Sequence, residues 1–294
     1  MKCAWIARHR DSYPVDLMCR LLDVARSGFF AWLQGKPESP RKAEDARLLV
    51  AIKAAHERGR GSYGPSKIQE ELAEQDLPAG INRIKRLRKL HGIRCKQKRK
   101  FKATTDSRHT LPIAPNRLEQ RFNDTTAPNQ VWVADITYIA TDEGWLYLAG
   151  IKDLHTCKLV GWSLDSRMTK QLVLDALRMA YWREKPPPGL IHHSDRGSQY
   201  CSHAYQAALQ SYGMLASMSR KGNCWDNAPM ESFFATLKME CVYHYRFATR
   251  EEAKRTIFEY VEVFYNRIRR HAKLGNISPA AFELAFYSRR QQAA

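Results

Sequence analysis

Residues 130–140 read Gln-Val-Trp-Val-Ala-Asp-Ile-Thr-Tyr-Ile-Ala, and this run decides what kind of fold the chain can adopt. Its β-branched and aromatic side chains favour a strand. Asp135 interrupts the middle of it. A carboxylate is a poor strand former, and burying an unpaired polar group costs about 2–7 kcal/mol, more when it is charged. Taken alone, Asp135 has two open readings: a functional acid, or a solvated outward position on an alternating strand.

Downstream, Glu143-Gly144 turns the chain into a second strand at 145–152, and 158–166 makes a third. The short connections predict two antiparallel hairpins in a row. Residues 169–184 then carry a helix with Leu172, Leu174, Ala176, Leu177 and Ala180, broken by Pro186-Pro-Pro-Gly189. A short buried strand, Leu190–His193, ends in Ser194-Asp195. A helix at 203–212, a strand at 214–219 and a turn at Gly222 follow, and then long helices over 227–243, 249–271 and 278–290. The order βββαβαβα belongs to a mixed-sheet α/β domain and predicts a ribonuclease-H-like core over 129–245, with a C-terminal helical extension over 246–294.

Upstream, residues 13–33 predict two short helices around a turn, with Leu17, Leu21 and Leu22 as their apolar stripe. Helix-turn-helix and plain helical bundle fit that pattern equally. Beyond Lys36-Pro-Glu-Ser-Pro40 come a helix at 41–57 with Leu48, Leu49 and Ile52 inward, and helices at 66–75 and 81–91. In the last of these Ile81, Ile84, Leu87 and Leu90 are read as one stripe among arginines and lysines. Residues 1–102 thus form a basic helical region, and 103–128, with three prolines, reads as a linker.

Lysine and arginine number 48 against 30 acids, a formal charge of +18 with a pI near 9.7. Residues 1–110 hold 25 basic and 12 acidic side chains, so the excess is concentrated at the front. Such a surface attracts polyanions, nucleic acid first among them. From Arg83 to Lys102 there are eleven basic residues and no acid. A solvated face or a phosphate-tracking segment would each look like this, and the run's start on a patterned helix favours the second. Arg83, Lys85, Arg86, Arg88, Lys89, Lys96, Lys98, Arg99 and Lys100 are therefore expected to meet DNA. No basic membrane anchor, lipidation motif or apolar run of ~20 residues is found, so a membrane partner is not expected. Seven scattered cysteines without a CxxC pair suggest neither a zinc site nor a disulfide framework. A cytoplasmic, nucleoid-associated protein is expected.

Two further acids share the situation of Asp135. Asp195 ends a strand and enters the loop Arg196-Gly-Ser-Gln-Tyr200, and Glu231 stands at a helix start behind Asn223-Cys-Trp-Asp-Asn-Ala-Pro229. A turn aspartate and a first-turn glutamate are their bland readings. As a set they separate by 59 and 35 intervening residues. A central strand, the end of its neighbour and a crossing helix can carry such residues to one edge. Oxygen-only donors suit Mg²⁺ or Mn²⁺, and two such ions would clamp an in-line displacement at phosphorus.

Trp132-Val-Ala-Asp-Ile-Thr-Tyr138, His193-Ser-Asp-Arg-Gly-Ser-Gln-Tyr200 and Gly222-Asn-Cys-Trp-Asp-Asn-Ala-Pro-Met-Glu-Ser-Phe-Phe234 closely resemble the DDE transposases of the insertion-sequence-three family. So do Tyr265-Asn-Arg-Ile-Arg-Arg-His271 with Ser278-Pro279, and at the front Arg26-Ser-Gly-Phe-Phe-Ala-Trp32 and Tyr63-Gly-Pro65. Arg270-His271 departs slightly from the more usual Pro-His. The resemblance implies a retroviral-integrase-type core, with Asp135, Asp195 and Glu231 as catalytic metal ligands. It implies cleavage and strand transfer at terminal inverted repeats, insertion into target DNA, and a homo-oligomer on DNA. It also implies the second reading-frame product, commonly fused by frameshifting to an upstream helix-turn-helix protein. A DNA-binding regulator, idle without that partner, is the alternative, and a structure-specific nuclease of the same fold is a third.

Several neighbours have two readings each. Lys238, seven residues after Glu231, either reaches the DNA or is a surface lysine; Arg196 and Gln199 orient DNA or shape their loop. Asn227 shares a helix face with Glu231 or caps that helix. His193 is read as a packed strand histidine rather than a ligand, and Trp225 as core packing ahead of base stacking.

Overall fold

The computed structural model describes residues 1–35, 40–96, 112–220 and 224–292. Three short helices open the chain: α1 (Lys2–His9), α2 (Val15–Leu21) and α3 (Arg26–Leu33), closed around Ile6, Met18, Cys19 and Phe29. α1 was not anticipated. The expected leucine stripe is also corrected: Leu17 and Leu21 face outward, Leu21 at 75% exposure, and Met18 and Cys19 take the inside. Arg26 is drawn to Asp16 by an ion pair across the turn.

α4 (Pro40–Arg58), α5 (Pro65–Ala73) and α6 (Ile81–Leu90) make a second helical unit around Leu48, Ile52, Ala55, Tyr63, Ile68, Leu72, Ile84 and Leu87. The four-residue stripe of α6 shortens, because Leu90 is 70% exposed. Steps of three residues lag the helical turn by about 60° each, so the ninth residue on points opposite to the first. Gly59 lets α4 meet the ring of Tyr63, since a Cβ there would lie 2.3 Å from the ring's Cγ.

The core is a five-stranded mixed sheet of order β3-β2-β1-β4-β5. β1 (Val131–Thr141), β2 (Gly144–Asp153) and β3 (Leu159–Asp165) form the two antiparallel hairpins. After α7 (Lys170–Glu184), β4 (Ile191–Ser194) enters parallel to β1; α8 (Ser198–Cys201) and α9 (His203–Ser211) then lead to β5 (Leu215–Met218), parallel to β4. This is the ribonuclease-H-like, integrase-type succession read from the sequence. Side chains of α7, α8 and α9 cover one face around Trp132, Ile151, Leu177 and Tyr205. α10 (Ala228–Glu240) and the C-terminal segment cover the other around Val133, Leu148, Phe233 and Tyr260.

The long helix expected over 249–271 is divided. α11 (Arg250–Phe258) passes into a π-helical stretch, Glu259–Tyr265, and helical structure ends soon after. Tyr260, Val261, Phe264 and Tyr265 all face inward from this stretch. Asn266 then replaces helix with a peptide-like bridge: its Oδ1 accepts from Leu159 N at 3.0 Å and its Nδ2 donates to Leu159 O at 3.1 Å. α10 likewise stops at Glu240, short of the expected 243. α12 (Pro279–Gln292) ends the described chain. No helix among the described residues is long and apolar enough to cross a membrane.

The second helical unit is fastened to the C-terminal segment. Arg270, nearly buried, pairs with Glu71 at 2.9 Å and with Glu74, while Arg60 pairs with Glu259. Tyr63 donates its hydroxyl to Ile268 O at 3.3 Å and accepts from Arg270 N at 3.0 Å. Of the segment read as linker, residues 112–122 lie against the sheet edge: Arg117 N donates to Ser217 Oγ at 2.9 Å, and Leu118 is buried.

Candidate active site

β1 carries Asp135 past the centre of the sheet, where its partner across the antiparallel ladder is Gly150. On the other side the parallel ladder ends with Ala134 opposite Ser194. The next residues along are Asp135 and Asp195, so the ladder itself sets the two acids side by side. Asp135 Oδ1 accepts from Ile136 N at 2.8 Å. Its carboxyl is pushed well above the usual aspartate range, by burial first and then by the negative charges of Asp195 and Glu231, with Lys238 pulling the other way.

Asp195 is steadied by its own loop. Its Oδ1 accepts from Gly197 N at 2.9 Å, and a Cβ on Gly197 would come within 3.0 Å of that same oxygen. Arg196 Nε donates to Ser219 O, and Gln199 Nε2 donates to Met168 O at 3.1 Å, so both hold the loop in place. Beneath it Tyr200 is buried, and its phenol is pushed up by burial and then by Tyr205, Asp135 and Asp195. Sequence reasoning passed over Tyr200 and Gly197, although both lie in the motif that contains Asp195.

Glu231 sits in the first turn of α10, at the exposed mouth, its carboxyl raised by partial loss of water. The helix start is tied to β1 through Asn227, whose Nδ2 donates to Ala134 O at 3.0 Å. Asn227 therefore does not cap the helix with its side chain; it reaches across to the residue before Asp135. Its Oδ1 is buried without a hydrogen-bond partner. Met230 and Phe234 of α10 come up against Gly150, the cross-strand partner of Asp135, where a Cβ would lie 3.1 Å from the Met230 methyl. Lys238, only 4% exposed, holds its Nζ 4.8 Å from the Tyr138 ring centre. Burial pushes that ammonium down and Asp135 pulls it back up. The surface-lysine reading of Lys238 is thereby excluded.

Among the described residues, no three carboxylate, imidazole or thiol groups close into a ready-made metal cage. The acids stand as an adjacent pair, Asp135 and Asp195, with Glu231 within electrostatic reach of Asp135. The chemistry of this donor set fits a divalent cation. It offers carboxylate oxygens alone, and mutual repulsion lifts Asp135 in a way that a cation would offset. His193 is no ligand: it is fully buried, with Nδ1 2.9 Å from Ser217 Oγ and Nε2 3.2 Å from Ser219 Oγ, and burial lowers it to about 4.

The turn before α10, Cys224–Asn227, is anchored by Asp226, which is fully buried. Its carboxylate accepts from Arg220 N at 2.7 Å, Arg220 Nη2 at 2.9 Å, Gln120 Nε2 at 2.7 Å and Asn116 Nδ2 at 3.1 Å. The Arg220 guanidinium holds that carboxyl well below the usual range, against burial. Trp225, expected in the core, is instead 70% exposed.

The basic residues expected to meet DNA divide. Arg83 pairs with Asp45 at 2.7 Å and Glu44 at 3.1 Å, and Arg86 pairs with the same Asp45. Arg88 is buried with its Nη2 3.0 Å from Cys95 Sγ, and Lys96 donates to Glu240 O at 3.1 Å. Lys85 and Lys89 are exposed and, with Arg94, line a pocket of about 310 Å³. Lys98, Arg99 and Lys100 lie outside the described residues.

Residues 125–224 and 231–285 each match the integrase core domain family, and residues 42–101 match an HTH-like domain. The chain is 58% identical to the 31 kDa protein of insertion element IS600 from Shigella sonnei, over 92% of this chain and 98% of that one. It is 44% identical to transposase InsF for insertion sequence IS3A of Escherichia coli strain K12, over 96% of this chain and 98% of that one. A chain of the simian T-cell lymphotropic virus intasome, solved with the PP2A regulatory subunit B56 gamma, superposes with a TM-score of 0.47 at 16% identity, covering 75% of this chain and 74% of that one. With two integrase core segments, an HTH-like unit and such identity along nearly its whole length, the chain belongs to the insertion-sequence-three family of transposases.

Proposed function

We propose that this transposase cleaves DNA at the terminal inverted repeats of an insertion sequence and joins the freed 3′ end to a second strand, with Asp135, Asp195 and Glu231 as its catalytic acids. The observation that carries the reading is the parallel ladder between β1 and β4, which puts Asp135 beside Asp195, together with the response of the Asp135 carboxyl to both other acids. Two adjacent acids, a third within electrostatic reach and a buried lysine support the reading.

Asp135, Asp195 and Glu231 would hold two Mg²⁺ or Mn²⁺ ions, which when bound supply Lewis acidity at the attacking and leaving oxygens of a phosphodiester. The protein's own contribution is positional. β1 and β4 fix two carboxylates by backbone hydrogen bonds, Asn227 fixes the helix that brings the third, and the Gly197 amide orients Asp195. Lys238 adds positive charge where the phosphate group would enter, and its burial strengthens that field. Lys85 and Lys89, with the basic segment beyond them, provide phosphate contacts away from the chemistry. Two DNA ends call for at least two protomers, and an upstream helix-turn-helix protein, fused or associated, is the expected partner.

The test is direct. Wild-type protein with paired element-end DNA and Mg²⁺ is expected to yield nicked and joined ends, and Asp195→Asn to lose both products while still retarding the DNA in a gel. Full product yield from Asp195→Asn would overturn the assignment of the acids.

A further inference from the structure

A largely exposed indole beside a candidate active site calls for a reason, because burying such a ring is worth a few kcal/mol and solvent exposure forgoes much of that gain. Trp225 is 70% exposed, yet the residues that follow it are firmly anchored. On its C-terminal side, Asp226 is buried under hydrogen bonds from Arg220, Gln120 and Asn116, and Asn227 is bonded to the backbone of Ala134. One residue beyond Ala134 is Asp135, and one turn beyond Asn227 is Glu231. The exposed indole thus stands in the turn that leads into the helix of Glu231 and that is tied to the strand of Asp135. Arg220, whose guanidinium grips Asp226, is itself 57% exposed, and Arg117, on the strap that also carries Asn116 and Gln120 to Asp226, faces solvent.

A flat aromatic face beside exposed guanidiniums, next to a site for phosphodiesters, matches one chemical partner well: a nucleobase lifted from its stack, with its phosphate on the arginines. We propose that Trp225 stacks against an unpaired base at the DNA end and so positions the neighbouring phosphodiester over Asp135 and Asp195. This rests on the DNA-cleaving function proposed above. Aromatic stacking is tolerant of base identity, so Trp225 sets where the strand lies and not which sequence is chosen. A fully paired end must first lose a base pair to reach it, and the indole offsets part of that cost by giving the displaced base a new face.

The experiment compares wild type, Trp225→Ala and Trp225→Phe on two end substrates. One is fully paired; the other carries mismatches that leave the terminal bases already unpaired. With 2-aminopurine at the terminal position, wild type is expected to quench the fluorescence that opening releases, Trp225→Phe to quench it partly, and Trp225→Ala to leave it bright. Cleavage of the paired end by Trp225→Ala is expected to fall roughly five- to a hundredfold, the range of one base–aromatic stack, and to recover substantially on the pre-opened end. Phe should keep most of the activity. Equal loss on both substrates, unchanged cleavage of the paired end, or identical 2-aminopurine signals in wild type and Trp225→Ala would each overturn the proposal. Failure of the Trp225→Ala protein to form the oligomer seen for wild type without DNA would instead assign the indole to a contact between protomers, and would also overturn it. Absence of cleavage by wild type on either substrate would refute the DNA-cleaving function itself, a result distinguishable from any of these. Melting curves for the three proteins are expected to coincide, since the indole is at the surface.

Discussion

Asn227 donates a single hydrogen bond to Ala134 O, and through it the helix of Glu231 is tied to the strand of Asp135. Asn227→Ala would remove a bond worth about 1 kcal/mol to stability. A far larger kinetic effect is expected, at least tenfold in single-turnover end cleavage, because an acid displaced by an ångström no longer meets its ligand. Cleavage unchanged alongside a lowered melting temperature would reduce Asn227 to packing. His192 and His193 make a second prediction. Burial lowers them to about 3 and about 4, from an ordinary 6.5. The unfolded chain therefore takes up protons below pH 6.5 that the folded chain refuses, so stability is complete above that pH and is lost as pH falls toward 4. At pH 5 the loss is about 2 kcal/mol for each histidine. Denaturant midpoints are expected to fall between pH 7 and 5, and His193→Gln should flatten that slope. At this scale the three acids were legible because residue type and spacing mark them. Asn227's tether and the closeness of Gly197 to Asp195 were not, because each depends on an atom supplied by folding.

The elements were easier to read where a single period governs them. Alternation and turn residues gave β1 to β3, and the two later strands were read from their short apolar runs between helices. Reading failed where geometry departs from the standard turn. Nothing in Glu259–Tyr265 distinguishes a π turn from an α turn, because its inward residues Tyr260, Val261, Phe264 and Tyr265 fit the apolar face of either. In α6 a stripe stepped by threes rotated Leu90 into water. Gly161 on β3 shows a contact of the same hidden kind. A Cβ there would come within 2.3 Å of Ala176 O and 2.6 Å of Ala180 Cβ, so α7 lies directly on the strand's backbone. Gly161→Ala is expected to cost about 1–3 kcal/mol by overpacking, lowering the melting temperature by several degrees. A melting temperature equal to wild type would show that α7 gives way freely.

For the whole molecule, the interlock between the second helical unit and the C-terminal segment was invisible in the sequence, since Glu71 and Arg270 stand almost two hundred residues apart. A shorter separation also hid the acids that pair with Arg83 and Arg86: Glu44 and Asp45 lie on α4, with α5 between them and the basic run. Arg270→Ala would leave Glu71 buried with Arg58 as its remaining ion-pair partner, at a cost of about 3 kcal/mol. Amide exchange in α5 is expected to accelerate while β1 and β4 stay protected. Uniform protection in both regions would mean that the unit is held by its other contacts.

Asp135 and Asp195 are neighbours because backbone bonds between β1 and β4 index them, ending at Ala134 opposite Ser194. Chain length between them is therefore a free variable for evolution and for the protein engineer. Residues inserted at Asp142-Glu143 or Pro186–Gly189, outside the β1–β4 ladder, are expected to leave Asp135 and Asp195 in step. One residue added inside β1 ahead of Asp135 would do the opposite, turning its carboxylate through the sheet to the far side and away from Asp195.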